Sequence, residues 1–188
     1  MPLRKEKMSC TELYGLTKNA VISIGDVHNA WRGAMAVWNY LEKKYLPPFR
    51  PSWYIPNLGF EPSRTSDQNA IKEIWDLSKS PKLTKSEKIV LCSTFDNVLA
   101  KVESIDKVLS AFREFEGETN LKEQADIIEQ AIKKNSEIVA IGWNQTSVNA
   151  DTWARDNYDE EKDEQLGYNL ETGTRHWFLI EELGFERS

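Results

Sequence analysis

Four uncharged polar side chains directly follow the most strongly β-branched run of the sequence, residues 137–143. They are Asn144, Gln145, Thr146 and Ser147. Amide and hydroxyl groups both donate and accept hydrogen bonds, so they can recognise an amide, a base edge or a sugar hydroxyl. Binding groups collect where the strands of open sheets end. Trp143, Asn144, Gln145 and Thr146 are therefore candidate binding residues, and satisfying the backbone of a local turn is the alternative role.

Arg175 and His176 precede a second apolar run, residues 177–180. A histidine can move protons near neutral pH and an arginine can bind anions. Nothing in the order of residues ties His176 to a serine or cysteine nucleophile. With Asn144, Gln145 and Thr146, these two residues form the candidate set for a small enzyme, over which residues 47–66 would act as a lid.

A short segment after the apolar residues 21–24 also carries metal-binding side chains: Gly25, Asp26, Val27 and His28. It resembles the first metal-binding motif of calcineurin-like metallophosphoesterases, in which the Asp and His end a strand and ligate a dimetal pair. That family needs further ligands, because two metal ions require several groups. Here His176 is the only other histidine, and no Gly-Asn-His motif follows. The sequence therefore favours a structural role, with Asp26 or Asn29 capping the next helix.

Aromatic residues are frequent, with seven tryptophans and six tyrosines. Trp53 and Tyr54 lie in residues 47–66, a predicted long loop that holds five of the seven prolines. Loop aromatics are typical of recognition sites, and long loops in compact domains are usually functional or mobile. A loop that folds back to cap the core would explain them equally well. Trp31, Trp38 and Trp75 lie on predicted helix stripes, where core positions are expected.

Acidic residues are concentrated towards the C-terminus. Residues 151–188 contain 11 acidic and 4 basic side chains, a net charge of −7, against −6 for the whole chain. The acidic cluster from Asp156 to Glu164 contains no glycine, which a calcium-binding loop needs at its centre, so we predict an acidic irregular segment over residues 151–170. This balance of charge disfavours binding to nucleic acid, because phosphates require clustered Lys and Arg.

Periodic apolar residues and caps predict five helices, at residues 29–46, 67–78, 84–95, 104–117 and 120–135. Strands are predicted at residues 97–102, 137–143 and 176–180, while residues 20–24 fit either a strand or the start of the first helix. Together they indicate an α+β fold, with about five helices packed on a small mixed or antiparallel sheet of two to four strands. Cys92 is expected to be an inert, buried thiol.

The chain of 188 residues is long enough for one domain with its own core. We predict a single domain over residues 1–188, in which residues 1–18 form a mobile N-terminal segment. The two cysteines, Cys10 and Cys92, make no disulfide framework. Because the chain shows neither a signal peptide nor an apolar run of membrane-spanning length, we expect a cytoplasmic, Trp-rich, soluble protein.

The sequence favours a non-catalytic binding or regulatory protein that acts through aromatic loops and an acidic surface. No Gly-rich phosphate loop, metal cluster or nucleophile motif is visible, so neither a cofactor nor a metal is expected. The expected partner is another protein with a basic surface, and we expect neither nucleic acid nor a membrane. The alternative is a small hydrolase or transferase with a site formed by Asn144, Gln145, Thr146, Arg175 and His176.

Overall fold

A computed structural model describes residues 9–56, 59–95, 98–144, 158–159, 161–162, 164–165 and 177–184. The first two strands, β1 (Cys10–Leu16) and β2 (Val21–His28), pair antiparallel as a hairpin. Thr17 stabilises the turn between them, because its hydroxyl accepts hydrogen bonds from the amides of Asn19 (3.2 Å) and Ala20 (2.9 Å). Residues 21–24 thus belong to a strand, which settles the choice that the sequence left open.

The main sheet is mixed, with mostly antiparallel pairing. Its further strands are β3 (Val98–Lys101), β4 (Ala140–Asn144) and β7 (Trp177–Phe178). The order across the sheet is β2-β1-β4-β3-β7, where only the two-residue β7 pairs parallel to its neighbour. Two short strands, β5 (Tyr158–Asp159) and β6 (Glu164–Gln165), form a separate pair.

Six helices are found among the described residues. They are α1 (Ala34–Tyr45), α2 (Ile71–Trp75), α3 (Lys85–Ser93), α4 (Ile105–Glu114), α5 (Leu121–Lys134) and α6 (Leu179–Glu182). The predicted α+β fold is confirmed. Helix α3 begins with the predicted capping box, in which the Thr84 hydroxyl accepts from the Glu87 amide (3.1 Å) and the Glu87 carboxylate accepts from the Thr84 amide (2.9 Å).

Alternate residues of a strand point to opposite faces of the sheet. Most of the core lies on one of these faces. Leu13, Ile141 and Trp143 pack with the helices in the larger apolar cluster. Tyr14, Leu16, Leu99 and Ala140 form a smaller cluster on the other face. No helix among the described residues is both long and apolar enough to span a bilayer.

Strand β1 departs from the prediction that residues 1–18 form a mobile segment. Residues 10–16 lie between β2 and β4 and are paired with both, and Leu13 and Leu16 are fully buried. The local pattern does not show this, because Thr11 and Glu12 interrupt the apolar residues. Thr11 is nevertheless fully buried, since its hydroxyl donates a hydrogen bond to Asn29 (2.8 Å).

Helix α1 begins five residues later than the predicted start at residue 29. Ala30 and Trp31 have positive φ angles of 30° and 67°, so the chain makes a left-handed turn before the helix. The N-cap is Gly33, without a side-chain hydrogen bond, so the prediction that Asp26 or Asn29 caps this helix is wrong. The helical spacing of Trp31 with Ala34 and Trp38 concealed the turn.

Two other elements differ in extent. The predicted helix over residues 67–78 is a single α-helical segment, α2, followed by a 3₁₀ turn at Asp76–Lys79. The predicted strand over residues 176–180 gives way after Phe178 to helix α6, which buries Leu179 and Ile180 completely. In such short apolar runs, periodicity does not distinguish a strand from a buried helix.

Candidate functional site

The loop of residues 47–66 is closed at its base by one buried arginine. Arg64 is only 4% exposed, and its Nη1 donates to the Glu42 carboxylate and to the Pro47 carbonyl, each at 3.0 Å. Its Nε donates to Glu73 on α2 at 2.8 Å. Because Pro47 and Arg64 stand near opposite ends of the loop, this guanidinium joins the two ends and fastens both to α1 and α2.

The surrounding groups complete this anchor. The Ser63 hydroxyl donates to Glu42 Oε2 (2.6 Å), and the Arg64 amide donates to Glu42 Oε1 (3.1 Å). Ser63 and Thr65 also hydrogen-bond to Asn39 Oδ1, each at 3.1 Å. Burial alone would lower the pKa of Arg64, but the hydrogen bonds to Glu73 and Glu42 outweigh burial and raise it. The arginine therefore stays charged, and the loop base is held by ionic hydrogen bonds.

The tip of the same loop presents large apolar side chains to solvent. Trp53, Ile55 and Phe60 are 59%, 62% and 58% exposed. The rings of Trp53 and Phe60 lie at 28° to each other, with centroids 6.4 Å apart. These three side chains do not cap the core, which was one of the two roles that the sequence allowed for the loop.

Tyr54 belongs to the internal structure of the tip. Its hydroxyl donates to Glu61 Oε1 (3.0 Å), and Arg50 donates to the other oxygen of Glu61 (2.8 Å). The Arg50 guanidinium also lies over the Tyr54 ring, 4.7 Å from its centroid. Tyr54 and Arg50, in the first half of the loop, thus bind Glu61 in its second half, between the base and the tip.

Exposed apolar side chains are concentrated in the part of the sequence that contains this loop. Among the described residues, six of the seven exposed large hydrophobic side chains fall within residues 31–75. We call these six the aromatic surface: Trp31, Met35, Trp53, Ile55, Phe60 and Trp75. Met35 is one helical turn from Asn39, which binds the loop base, and Trp75 packs edge-on against Trp38 of α1 with ring centroids 6.0 Å apart.

Two core expectations are corrected by these exposures. Trp31 is 89% exposed and Trp75 is 37% exposed, whereas both were predicted in the core. Ile55 and Phe60 were not among the candidate binding residues. A usable signal was present, because the ten residues 51–60 contain no charged side chain, which is unusual for a surface loop.

Trp143, in contrast, is a core residue and not a surface one. It is 2% exposed, its Nε1 donates to Gln124 Oε1 (3.2 Å), and its ring packs edge-on against Phe112. Asn144 is partly buried and donates to Glu12 Oε2 (3.4 Å). Gln145, Thr146, Arg175 and His176 lie outside the described residues, as does most of the acidic segment 151–170. The described residues therefore do not bring the candidate enzyme site together.

The segment that resembles a metallophosphoesterase motif lies on β2. Asp26 and His28 are exposed and are two residues apart on that strand, so they point to the same face. Within the described part of the chain, no three His, Cys, Asp or Glu side chains are grouped so that they could hold a metal ion.

A charged pocket of about 270 Å³ lies between α1, α3 and the end of α4. Lys44 donates to Glu87 Oε1 (2.9 Å) and Tyr45 donates to Glu87 Oε2 (2.7 Å). Burial would raise the pKa of Glu87, but these hydrogen bonds and those from Thr84 outweigh burial and lower it. Glu87 is also part of the capping box of α3, so this network stabilises the start of that helix.

Comparison with protein-family models, with curated proteins and with solved structures gives no significant match for this chain.

Proposed function

We propose that this protein is a non-catalytic binding or regulatory protein that recognises another protein through the loop of residues 47–66. The observation that carries the proposal is the contrast within this loop. Its base is held by the buried Arg64, while Trp53, Ile55 and Phe60 at its tip are each more than half exposed. A loop that served only to cover the core would bury these side chains.

The physical argument concerns the cost of binding. Monomeric proteins rarely expose contiguous apolar patches, and large exposed patches mark interaction sites. Trp is among the residues that contribute most to binding free energy at protein interfaces. A loop whose ends are already fixed loses little conformational entropy when it binds, so more of the contact energy becomes affinity. These features support recognition of a protein partner.

The proposal includes a cytoplasmic location, because neither cysteine forms a disulfide bond, as is usual in a reducing compartment. The acidic segment of residues 151–170 remains part of the proposal as a second contact, for which a partner with a basic surface is suited. That contact is expected to weaken as the salt concentration rises.

Site-specific photocrosslinking tests the proposal directly. Trp53 is replaced by the photoreactive amino acid benzoylphenylalanine, and the protein is irradiated in the cells from which it comes. The matched control carries the same amino acid at Ile22, an exposed apolar residue on β2, away from the loop. We expect a discrete crosslinked protein at position 53 that is missing at position 22.

The crosslinked protein is then purified and its affinity is measured with wild type and with W53S/F60S. We expect the double substitution to weaken binding at least about tenfold, with the free energy of unfolding nearly unchanged because both side chains are exposed. Crosslinks that are identical at both positions, or an affinity that does not depend on Trp53 and Phe60, would contradict the proposed function.

A further inference from the structure

We infer that the aromatic surface binds an acidic peptide segment that carries bulky apolar side chains. This inference rests on the proposed function and specifies the chemistry of the partner. Its basis is the distribution of charge around the exposed apolar residues, which is opposite in sign to that of the protein as a whole.

The segment that forms the aromatic surface is basic. Residues 31–75 contain six Lys and Arg and four Asp and Glu, so their net charge is +2. Because the whole chain has a net charge of −6, the remaining residues together carry −8. The exposed apolar side chains therefore lie in a segment of positive net charge within an acidic protein.

The acidic residues of this segment are already engaged. Glu42 and Glu73 bind Arg64, and Glu61 binds Arg50. Asp67 accepts hydrogen bonds from the amides of Asn69 (2.8 Å) and Ala70 (3.0 Å), so its carboxylate caps the turn before α2. Three of these four carboxylates are thus paired with an arginine, and the fourth is held by backbone amides.

Three basic residues of the segment are uncommitted. Arg32, Lys43 and Lys72 are exposed, and among the described residues none of them has a carboxylate within salt-bridge distance. Within the part of the chain that the structure describes, no carboxylate pairs with these three charges. An acidic ligand would gain three favourable contacts here without breaking an existing ion pair.

These cations alternate with the apolar side chains. On α1, Met35, Asn39 and Lys43 follow one another at intervals of one turn, and Asn39 binds the base of the loop. Arg32 adjoins Trp31 in the left-handed turn, and Lys72 precedes Trp75 by three residues on α2. A ligand that covers the apolar side chains must therefore pass close to the cations.

The spacing fits a peptide better than a nucleic acid. Binding to a phosphate backbone depends on many closely placed cations, whereas among the described residues only Arg32, Lys43 and Lys72 of this segment have no carboxylate within salt-bridge distance. An acidic peptide with Trp, Phe or Leu side chains matches both components of the surface. Its apolar groups would bury Trp53, Ile55 and Phe60, and its carboxylates would bind the cations.

Selection from a library of random peptides displayed on phage tests this inference. The baits are wild type, the loop variant W53S/F60S, the charge variant R32E/K43E/K72E and a control variant K82E/K122E/K134E. The control reverses three exposed lysines that lie outside residues 31–75. Enriched peptides are synthesised, and their dissociation constants are measured at low and high salt concentration.

We expect peptides rich in Asp, Glu and large apolar residues, whose affinity falls at least about tenfold with either the loop variant or the charge variant. The control variant should bind them within about twofold of wild type, because its substitutions lie outside the surface. Raising the salt concentration should weaken binding to wild type more than binding to the charge variant.

The outcomes separate the inference from the proposed function. Enriched peptides that need Trp53 and Phe60 but are neutral or basic would overturn the inference and leave the proposed function standing. If no enriched peptide depends on the loop, both are overturned. Binding of a labelled oligothymidylate that requires Trp53, or self-association of the protein that is lost in W53S/F60S, would equally overturn the acidic-peptide inference.

Discussion

Arg64 places its guanidinium between Glu42, Glu73 and the Pro47 carbonyl, with 4% of the residue exposed. Taking such a charge out of water is costly, and the cost is offset only while every partner is in place. Removing one member of a buried pair leaves an uncompensated charge behind. The stability of the loop base is therefore more sensitive to a single substitution here than at any surface ion pair.

Replacing Arg64 by methionine is expected to lower the free energy of unfolding by about 3–5 kcal/mol, because Glu42 is then buried without its cation. Urea denaturation measures the change. The control is R113A, which removes a pair of exposed contacts to Asp126 and Glu129 and should cost less than about 1 kcal/mol. Equal effects of the two substitutions would show that Arg64 is not the anchor described above.

Glu87 gives the protein a pH dependence of stability. Its pKa in the folded state lies below the ordinary value of 4.5, because hydrogen bonds from Tyr45, Lys44 and Thr84 outweigh the effect of burial. A lowered pKa stabilises the folded state above pH 4.5, and this contribution disappears as the pH falls through the folded value. We expect the unfolding free energy of wild type to fall more steeply below about pH 4.5 than that of E87Q. Urea titrations at a series of pH values check the slope, and parallel profiles would contradict the assignment.

Single residues illustrate how far the sequence alone could lead. Trp53 was predicted as a binding residue and is exposed, at the tip of a loop whose base is held by Arg64. Trp143 was predicted as a binding residue and is buried, because Gln124 supplies an acceptor for its indole N–H. That acceptor comes from α5, 19 residues earlier in the chain, so the residues next to Trp143 do not reveal it.

At the scale of elements, the turn before α1 is the most unusual feature. Ala30 and Trp31 are both left-handed, which costs an L-residue other than glycine about 1–2 kcal/mol. The turn is held by Asn29, whose Oδ1 accepts hydrogen bonds from Thr11 (2.8 Å) and Asn120 (3.3 Å). A Cβ at Gly33 would clash with that same oxygen and would lie 2.9 Å from the Cβ of Asn29, so the turn favours glycine there.

Substituting Trp31 by glycine tests this description. Glycine relieves the left-handed strain, and the exposed indole contributes no burial, so the unfolding free energy should stay the same or rise by up to about 1 kcal/mol. If Trp31 lay on the buried stripe of a longer helix, the loss would be about 3–5 kcal/mol. The matched control is W38G, which removes a packed indole bonded to Thr94 (2.8 Å) and should cost about 3 kcal/mol or more. Thermal or urea denaturation distinguishes the two cases.

Elements with their own local signals were predicted well. Helix α5 begins and ends within a residue of the prediction, and α3 begins at the predicted capping box, since caps and apolar periodicity are properties of neighbouring residues. Strand β1 and the start of α1 were missed for the opposite reason. Their conformations depend on hydrogen bonds to β4 and to Asn120, which lie more than ninety residues away.

At the scale of the whole molecule, unfolding of the core can be followed through the reactivity of one buried thiol. Cys92 on α3 is 1% exposed, and burial raises its pKa to about 12. Because only the thiolate reacts readily with disulfide reagents, native Cys92 should be nearly inert. In the variant C10S, we expect labelling of Cys92 by Ellman's reagent to follow the unfolded fraction across a urea titration. Rapid labelling of the native protein would show that this part of the core opens independently.

The fold class was within reach of the sequence, whereas the arrangement of the sheet was not. Helical periodicity and two β-branched runs are enough to predict an α+β protein. The order of strands depends on which edges pair across long stretches of chain, and this information is not carried by any one segment. The aromatic surface lies between these cases. Trp53 was singled out from the sequence, whereas the fixed base of its loop depends on the long-range contact of Arg64 with Glu42.

The position of β1 has a consequence for biosynthesis. This strand is translated well before β4, yet one of its two edges pairs with β4, with Leu13 opposite Trp143. Until β4 has been translated, that edge of the nascent hairpin stays unpaired, and long-range pairing of this kind is slow and prone to aggregation. Chaperones that bind the nascent chain at the ribosome should therefore raise the yield of this protein more than chaperones that act after the chain has left the ribosome.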